Sequence, residues 1–196
     1  VFLRGFASKS KKGGVLGYSS LVERIPVNIK SMLISFIVPH KGREELLAIT
    51  IESIFAMEHG DCQIEVIIVT QNTTLECSYA EQKDVPCKIV FRPEHETIAK
   101  LRNIGVSQSS GDYLAFIDAD VILSQDWLMV LVNELDVKQE LVAVSALQQC
   151  GSDAGNIEKI KVAFQMTRAD REVEYIGTPN LFMSRTIFEQ AGGFPE

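Results

Sequence analysis

Asp118-Ala119-Asp120 is the strongest chemical signal in the sequence. It follows directly on an apolar run, Tyr113-Leu114-Ala115-Phe116-Ile117, that reads as a strand. In extended chain, residues i and i+2 point the same way, so both carboxylates face one site, roughly 7 Å apart along the backbone. Carboxylates placed like this repel unless positive charge lies between or near them. A hard divalent cation supplies that charge, and Mg2+ or Mn2+ takes one or two carboxylates and fills its shell with water and substrate phosphates. The plainer alternative has one Asp capping the next segment and the other solvated; the strand upstream favours the cation. Lys100 and Arg102 open a helix just before that strand. Arg102 could make paired hydrogen bonds to a phosphate and Lys100 could serve as a point charge, the alternative being a solvated helix face. Pro39-His40-Lys41-Gly42-Arg43 closes an earlier strand, where loop residues can lie against a nucleotide. His40 could contact a ligand, although a lone His is more commonly a satisfied polar residue; His59 and His95 read as surface residues. Ser-His-Asp, H-E-x-x-H, P-loop and G-x-G-x-x-G patterns are absent.

The elements that must position these residues alternate. Leu33–Val38 is a short apolar run that reads as a buried strand stopped by Pro39. Glu44–Met57 carries Leu47, Ile51, Ile54 and Phe55 at helical spacing. The β-branched run Ile64–Val69 is a second buried strand, and Lys88–Phe91 a weaker third. Thr97–Ser109 is a helix with Ile98, Leu101 and Gly105 on one face and Lys100 and Asn103 on the other. After strand Tyr113–Ile117 come a helix over Asp126–Leu135 and a strand over Leu141–Leu147. This rhythm predicts an α/β fold, a mostly parallel sheet with helices on both faces. Ligands of such sheets sit beyond the carboxyl ends of the strands, which directs attention to Pro39–Arg43, Thr70–Thr74 and Asp118–Asp120.

Composition narrows the function classes. The chain has 196 residues, 46% of them hydrophobic, long enough to bury about 70% of its unfolded surface without staples. Its net charge of −7 argues against charge-driven nucleic-acid binding. Residues 1–30 are the exception, with six basic residues against the single acid Glu23. They read as a basic arm or linker, either a solvated leader or a contact for acidic lipid or a partner, and residues 31–196 as the folded domain. No apolar run is long enough to span a bilayer and no secretory signal is visible, so a cytoplasmic setting is expected, with an upstream membrane anchor left open. Of the four cysteines, Cys77 and Cys87 could pair in an oxidising compartment; the alternative is four free thiols.

Taken together, these segments resemble the family-2 glycosyltransferases of the GT-A fold. Ser35–Arg43 is similar to that family's opening S-V-I-I-P-x-Y-N-R, and Glu65–Thr73 to its second strand and V-D-D-G-S loop. Leu101–Gly105 followed by Ser110–Asp120 resembles A-R-N-x-G … G-D-Y-L-x-F-L-D-A-D, and Asn180–Arg185 with Ala191–Glu196 resembles the segment ending in G-G-F-D-E. The resemblance implies a GT-A-type, Rossmann-like sheet and an inverting transfer from a nucleotide-sugar donor, usually a UDP-sugar. It also implies a divalent metal and a glycan or glycolipid acceptor, as in polysaccharide biosynthesis. On this likeness Asp120 coordinates the metal, and Asp118 shares it or holds the ribose. Pro39, His40, Arg43, Thr70, Gln71, Lys100, Arg102 and Ala119 complete the donor side, with Arg102 offsetting diphosphate charge, while Gly177, Thr178 and Pro179 line the acceptor side. Two departures stand out. Thr70-Gln71-Asn72 replaces the acidic base-recognition loop, where Gln71 could substitute with its donor and acceptor. The family's general base lies after the G-G-F-D-E segment, beyond Glu196, so the chain reads as a truncated catalytic domain. The alternatives are a module of the same fold that binds without transferring, and a sugar-phosphate nucleotidyltransferase; the latter is disfavoured by the single glycine in the loop 39–43.

Overall fold

The computed structural model describes residues 5–7, 32–75, 85–137, 143–145, 172–173 and 179–196. In chain order its strands are β1 (Gly5–Ala7), β2 (Leu33–His40), β3 (Gln63–Thr70), β4 (Cys87–Phe91), β5 (Tyr113–Ile117), β6 (Ala143–Ser145), β7 (Glu172–Val173) and β8 (Asn180–Ser184). Its helices are α1 (Glu44–Ala56), α2 (Ile98–Ser107), α3 (Trp127–Val137) and α4 (Arg185–Gln190). They build one sheet in the order β4-β3-β2-β5-β8-β6-β1-β7. The four strands β4-β3-β2-β5 are mutually parallel; β8 runs antiparallel to both β5 and β6.

The central parallel strands are largely apolar. β2 and β3 are buried on both faces, as the continuous runs of Ile, Val and Phe require. Alternate residues feed two separate cores. Ile34, Phe36 and Val38 of β2 pack with Leu47, Ile51 and Ile54 of α1 and with Trp127, Leu128 and Leu131 of α3. On the opposite face Ile37, Ile67, Val69 and Phe116 pack with Leu101 and Val106 of α2 and Phe188 of α4. Helices therefore cover both faces of the sheet, as the α/β reading expects.

Two expectations are corrected. β2 does not stop at Pro39 but continues to His40, paired with β3 throughout. It pairs with β5 only over Ile34–Ile37, so Pro39 lies where the β5 side is open and a missing N–H is tolerated. Ile98 does not share the core face of α2 with Leu101 and Gly105: it is 51% exposed, at the first turn of the helix. The strand expected over Leu141–Leu147 is described only as Ala143–Ser145, and β8 is inserted between it and β5. Within the arm of residues 1–30, Gly5–Ala7 pairs with β6 and β7; its other residues, with Cys77, Cys150, Gly177 and Thr178, lie outside the described residues. No helix among the described residues is long and apolar enough to cross a membrane.

α2 sits close to the sheet because Gly105 lets it. A Cβ built there would come within 2.3 Å of Ile37 Cγ2 and 3.3 Å of Val69 Cγ2. Both neighbours are buried β-branched side chains with little rotamer freedom. Gly105→Ala is therefore expected to destabilise the fold by about 1–3 kcal/mol through overpacking. Urea denaturation checks this: an unchanged midpoint would mean that α2 can lift off the sheet at no cost.

Candidate functional site

The chain leaves β2 toward β3 and β4 on one side, then crosses through α2 to β5 on the other. The junction of β2 and β5 is thus the point where strand order reverses, and a crevice opens there at the carboxyl ends. The structure has a cleft of about 210 Å³ at this place. Pro39, His40, Lys41 and Arg43 line it from the end of β2, Asp118, Ala119 and Asp120 from the end of β5, and Leu46 and Ile98 from the first turns of α1 and α2.

Asp118-Ala119-Asp120 is a turn, not extended chain, closed by the Val121 N–H donating to Asp118 O at 3.1 Å. Both carboxylates still reach the cleft, by a different geometry from the i, i+2 argument. The positive charge they require is present as two arginines. Arg102 Nη2 donates to Asp118 Oδ1 at 2.7 Å, with the Arg102 side chain buried and Asp118 28% exposed. Arg43 Nη2 stands 3.7 Å from Asp120 Oδ2, both side chains more than half exposed. Burial pushes the Asp118 carboxyl above the usual carboxylate range; Arg102 opposes this and Asp120 adds to it.

Arg102 does not line the cleft: its guanidinium is directed at Asp118, and its Nε finds no hydrogen-bond partner among the described residues. The Phe194 ring lies over it, 5.4 Å from the guanidinium carbon. Phe194 is held by Asn103, whose Nδ2 donates to Phe194 O at 2.9 Å and whose Oδ1 accepts the Phe194 N–H at 3.0 Å. Gly192 and Gly193 both adopt positive φ in the preceding turn, which brings the segment back onto α2. Lys100 Nζ pairs with Glu96 Oε1 at 3.1 Å rather than facing the cleft.

On the β2–β3 side, His40 Nδ1 and Thr70 Oγ1 share a hydrogen bond at 2.9 Å, and Thr70 Oγ1 also accepts the Asn72 N–H. Burial lowers the His40 pKa, against the backbone carbonyls of Arg43 and Gly42 and the charges of Glu44 and Glu45, so the ring is neutral at pH 7. Asn72 grips the loop from both sides: its Oδ1 accepts the Gly42 N–H at 2.7 Å and its Nδ2 donates to Gly42 O at 3.0 Å. Gln71 spends its Nε2 on Pro93 O and Glu96 O, at 2.7 and 3.0 Å. Of the residues expected on the acceptor side only Pro179 is described, and its carbonyl accepts the Asp118 N–H at 2.9 Å, which brings it beside the carboxylates.

Sequence reasoning therefore located the cleft but missed its two asparagine clamps. Asn72 fell inside a motif read for other residues, and Asn103 was assigned to an exposed helix face. The spacing of 30 and 91 residues to their partners leaves no local signal. The carboxylate turn thus lies at the switch point of the parallel strands and is faced by two arginines. The chain belongs to Glycosyl transferase family 2, whose family model matches residues 35–191. It is 26% identical over 170 residues to the glycosyltransferase AglE of Haloferax volcanii, covering 83% of this chain and 56% of that protein. GlyG of Streptococcus pneumoniae is 24% identical over 130 residues, and the chain spans 42% of its length. Among solved structures, a mannosyltransferase from Pyrobaculum calidifontis in complex with GDP-Man and Mn2+ superposes with a TM-score of 0.64 at 20% identity, over 83% of this chain and 47% of that one.

Two predictions follow from this geometry. Asn103→Ala removes both bonds to the Phe194 backbone and is expected to cost about 1–2 kcal/mol. Hydrogen exchange at residues 192–196 should rise with it; unaltered protection there would show that ring packing alone holds the segment. Glu96, flanked by Arg92 and Lys100, has its carboxyl pulled down from 4.5 to about 2, chiefly by its hydrogen bond with Arg92. Its stabilising charge is fully present above pH 4.5 and is lost as the pH falls through about 2. The gap in thermal midpoint between the wild type and Glu96→Gln should therefore be wide at pH 7 and shrink at pH 2. A constant gap would remove the ion pair from the explanation.

Proposed function

We propose that this chain carries the donor-binding part of a glycosyltransferase that uses a nucleotide-sugar, UDP-linked by preference, a divalent cation and a glycan or glycolipid acceptor. The observation that carries the reading is the Asp118–Asp120 turn, opening on a cleft at the strand-order reversal, in a chain of this family. Among the described residues no cluster of three or more His, Cys, Asp or Glu could hold a metal by itself. Two carboxylates fit Mn2+ or Mg2+ that takes its remaining ligands from phosphates and water. Asp120, the more exposed, would hold the ion, with Asp118 sharing it or holding the ribose. When bound, such an ion offsets charge on a departing diphosphate.

The chain's own residues do the rest. Pro39 and neutral His40 border the base and ribose. Lys41 and Arg43 bring positive charge to the diphosphate, and Arg102 acts through Asp118 by fixing where its carboxylate points. Pro179, bonded to the Asp118 backbone, sets the near edge of the acceptor side. Inverting displacement needs a base within hydrogen-bond reach of the acceptor hydroxyl. Glu196 accepts from Asn103 Nδ2 at 3.1 Å, which supports a clamped structural role for it. The basic arm of residues 1–30 suits contact with an acidic surface on charge alone.

Calorimetric titration of UDP, GDP, CDP and ADP, with Mn2+ and with chelator, tests this. One nucleotide is expected to bind in a Mn2+-dependent manner, and Asp120→Ala is expected to abolish that binding with the thermal midpoint retained. Equal affinity in chelator would remove the cation from the site, and no binding by the folded chain would overturn the donor-site assignment.

A further inference from the structure

The two carboxylates of the site are neutralised in different ways. Asp118 has a short, largely buried pair with Arg102, at 2.7 Å between side chains 28% and 6% exposed. Asp120 has a loose, open one with Arg43, at 3.7 Å between side chains 54% and 68% exposed. Removing one partner of a buried pair strands a charge, whereas an exposed pair separates at little cost. Only Asp120 can therefore exchange its counter-charge freely.

The backbone around Arg43 is fixed while its side chain is not. Gly42, immediately before it, is bound through both its N–H and its carbonyl by Asn72. Glu44, immediately after it, accepts from the same Asn72 Nδ2 at 3.2 Å. Arg43 thus swings from an anchored point on the wall of the cleft it lines. A guanidinium there has two anionic targets: Asp120, and a diphosphate lying in the cleft, which it can meet with two parallel N–H donors.

We propose that Arg43 is the displaceable counter-ion of Asp120: it holds the place of the divalent cation, and when displaced it turns to the diphosphate of the donor. This rests on the donor-site reading above and adds an order to it. Cation binding releases Arg43, and the released arginine strengthens the site for the anion. The two ligands are coupled through one side chain, and neither has to move the backbone.

The test titrates Mn2+ alone into the chain, then UDP into the Mn2+-loaded chain, with GDP as the probe if that is the nucleotide that binds. Arg43→Gln should tighten Mn2+ by about threefold to tenfold, because a competing positive charge beside Asp120 is gone. It should weaken the nucleotide on the loaded chain by a similar factor. The thermal midpoint should stay within about 2 °C, since an exposed side chain is altered. Asp120→Asn should lose Mn2+ binding, and adding Arg43→Gln to it should restore none. Unchanged or weaker Mn2+ binding by Arg43→Gln overturns the proposal, as does tighter Mn2+ with unchanged nucleotide affinity. A wild-type chain that binds neither ligand overturns the donor-site reading as well; a wild type that binds both, with a variant that behaves identically, overturns the role of Arg43 alone.

Discussion

Two carboxylates in one turn at the end of a buried strand must be given positive charge, and the Arg102–Asp118 pair is where the fold meets that demand. Arg102 is buried on a helix packed flat on the sheet, so the pair forms only if α2 lies close. Closeness depends on Gly105, one turn further along α2, which leaves no Cβ between the helix and Ile37. The guanidinium also needs a cover, which the Phe194 ring supplies, held in place by Asn103 from the residue next to Arg102. Helix α2, the turn after β5 and the segment around Phe194 are thus tied to one 2.7 Å contact.

The opposite ends of the same elements are braced by a second polar network. Glu65 Oε1 accepts from Ser35 Oγ and from the backbone N–H groups of Ser110 and Gly111. Arg185, at the start of α4, donates to Gly111 O and Val106 O, and to Ser109 Oγ. These contacts pin the α2–β5 turn against β2, β3 and the β8–α4 junction. A carboxylate that receives three donors and an arginine that gives three bonds satisfy groups that would otherwise be costly to bury. The register of β5 against β2 is fixed there, and the position of Asp118 five residues beyond Tyr113 follows from it.

How much of this was legible follows from the range of each interaction. Strands β2, β3 and β5 are written as apolar runs broken only by Ser35 and Glu65, α1 as a 3.6-residue period, and the carboxyl-end rule then locates the cleft from order alone. Asp118 and Asp120 were legible because their types and spacing pose a charge problem that any fold must solve. The solution was not legible. Arg102 reads from sequence as a phosphate ligand, and the structure directs it instead to a carboxylate 16 residues away. β8 is a five-residue strand whose partner β5 precedes it by more than sixty residues, so nothing local marks it as the strand that closes that edge. The clamps of Asn72 and Asn103 are invisible for the same reason, since an asparagine serves equally well on a solvated face. Pro39 was misread because a proline's effect on a strand depends on whether the neighbouring strand still pairs there.

The asymmetry of the two arginines has an energetic sense. If both carboxylates were held as tightly as Asp118, a cation would have to break a buried pair to enter, at a cost of about 3–5 kcal/mol. If neither were held, their mutual repulsion would go unopposed and leave the turn poorly fixed. The observed division avoids both outcomes. Asp118 is fixed in place by a partner that does not leave, despite the burial that raises its pKa. Asp120 keeps a partner worth about 0–1 kcal/mol, enough to neutralise it in water and little enough to give up. On the cation-site reading proposed above, one permanent and one provisional counter-charge keep the site ordered yet open to a small ion, and the burial of Arg102 against the exposure of Arg43 assigns the two parts.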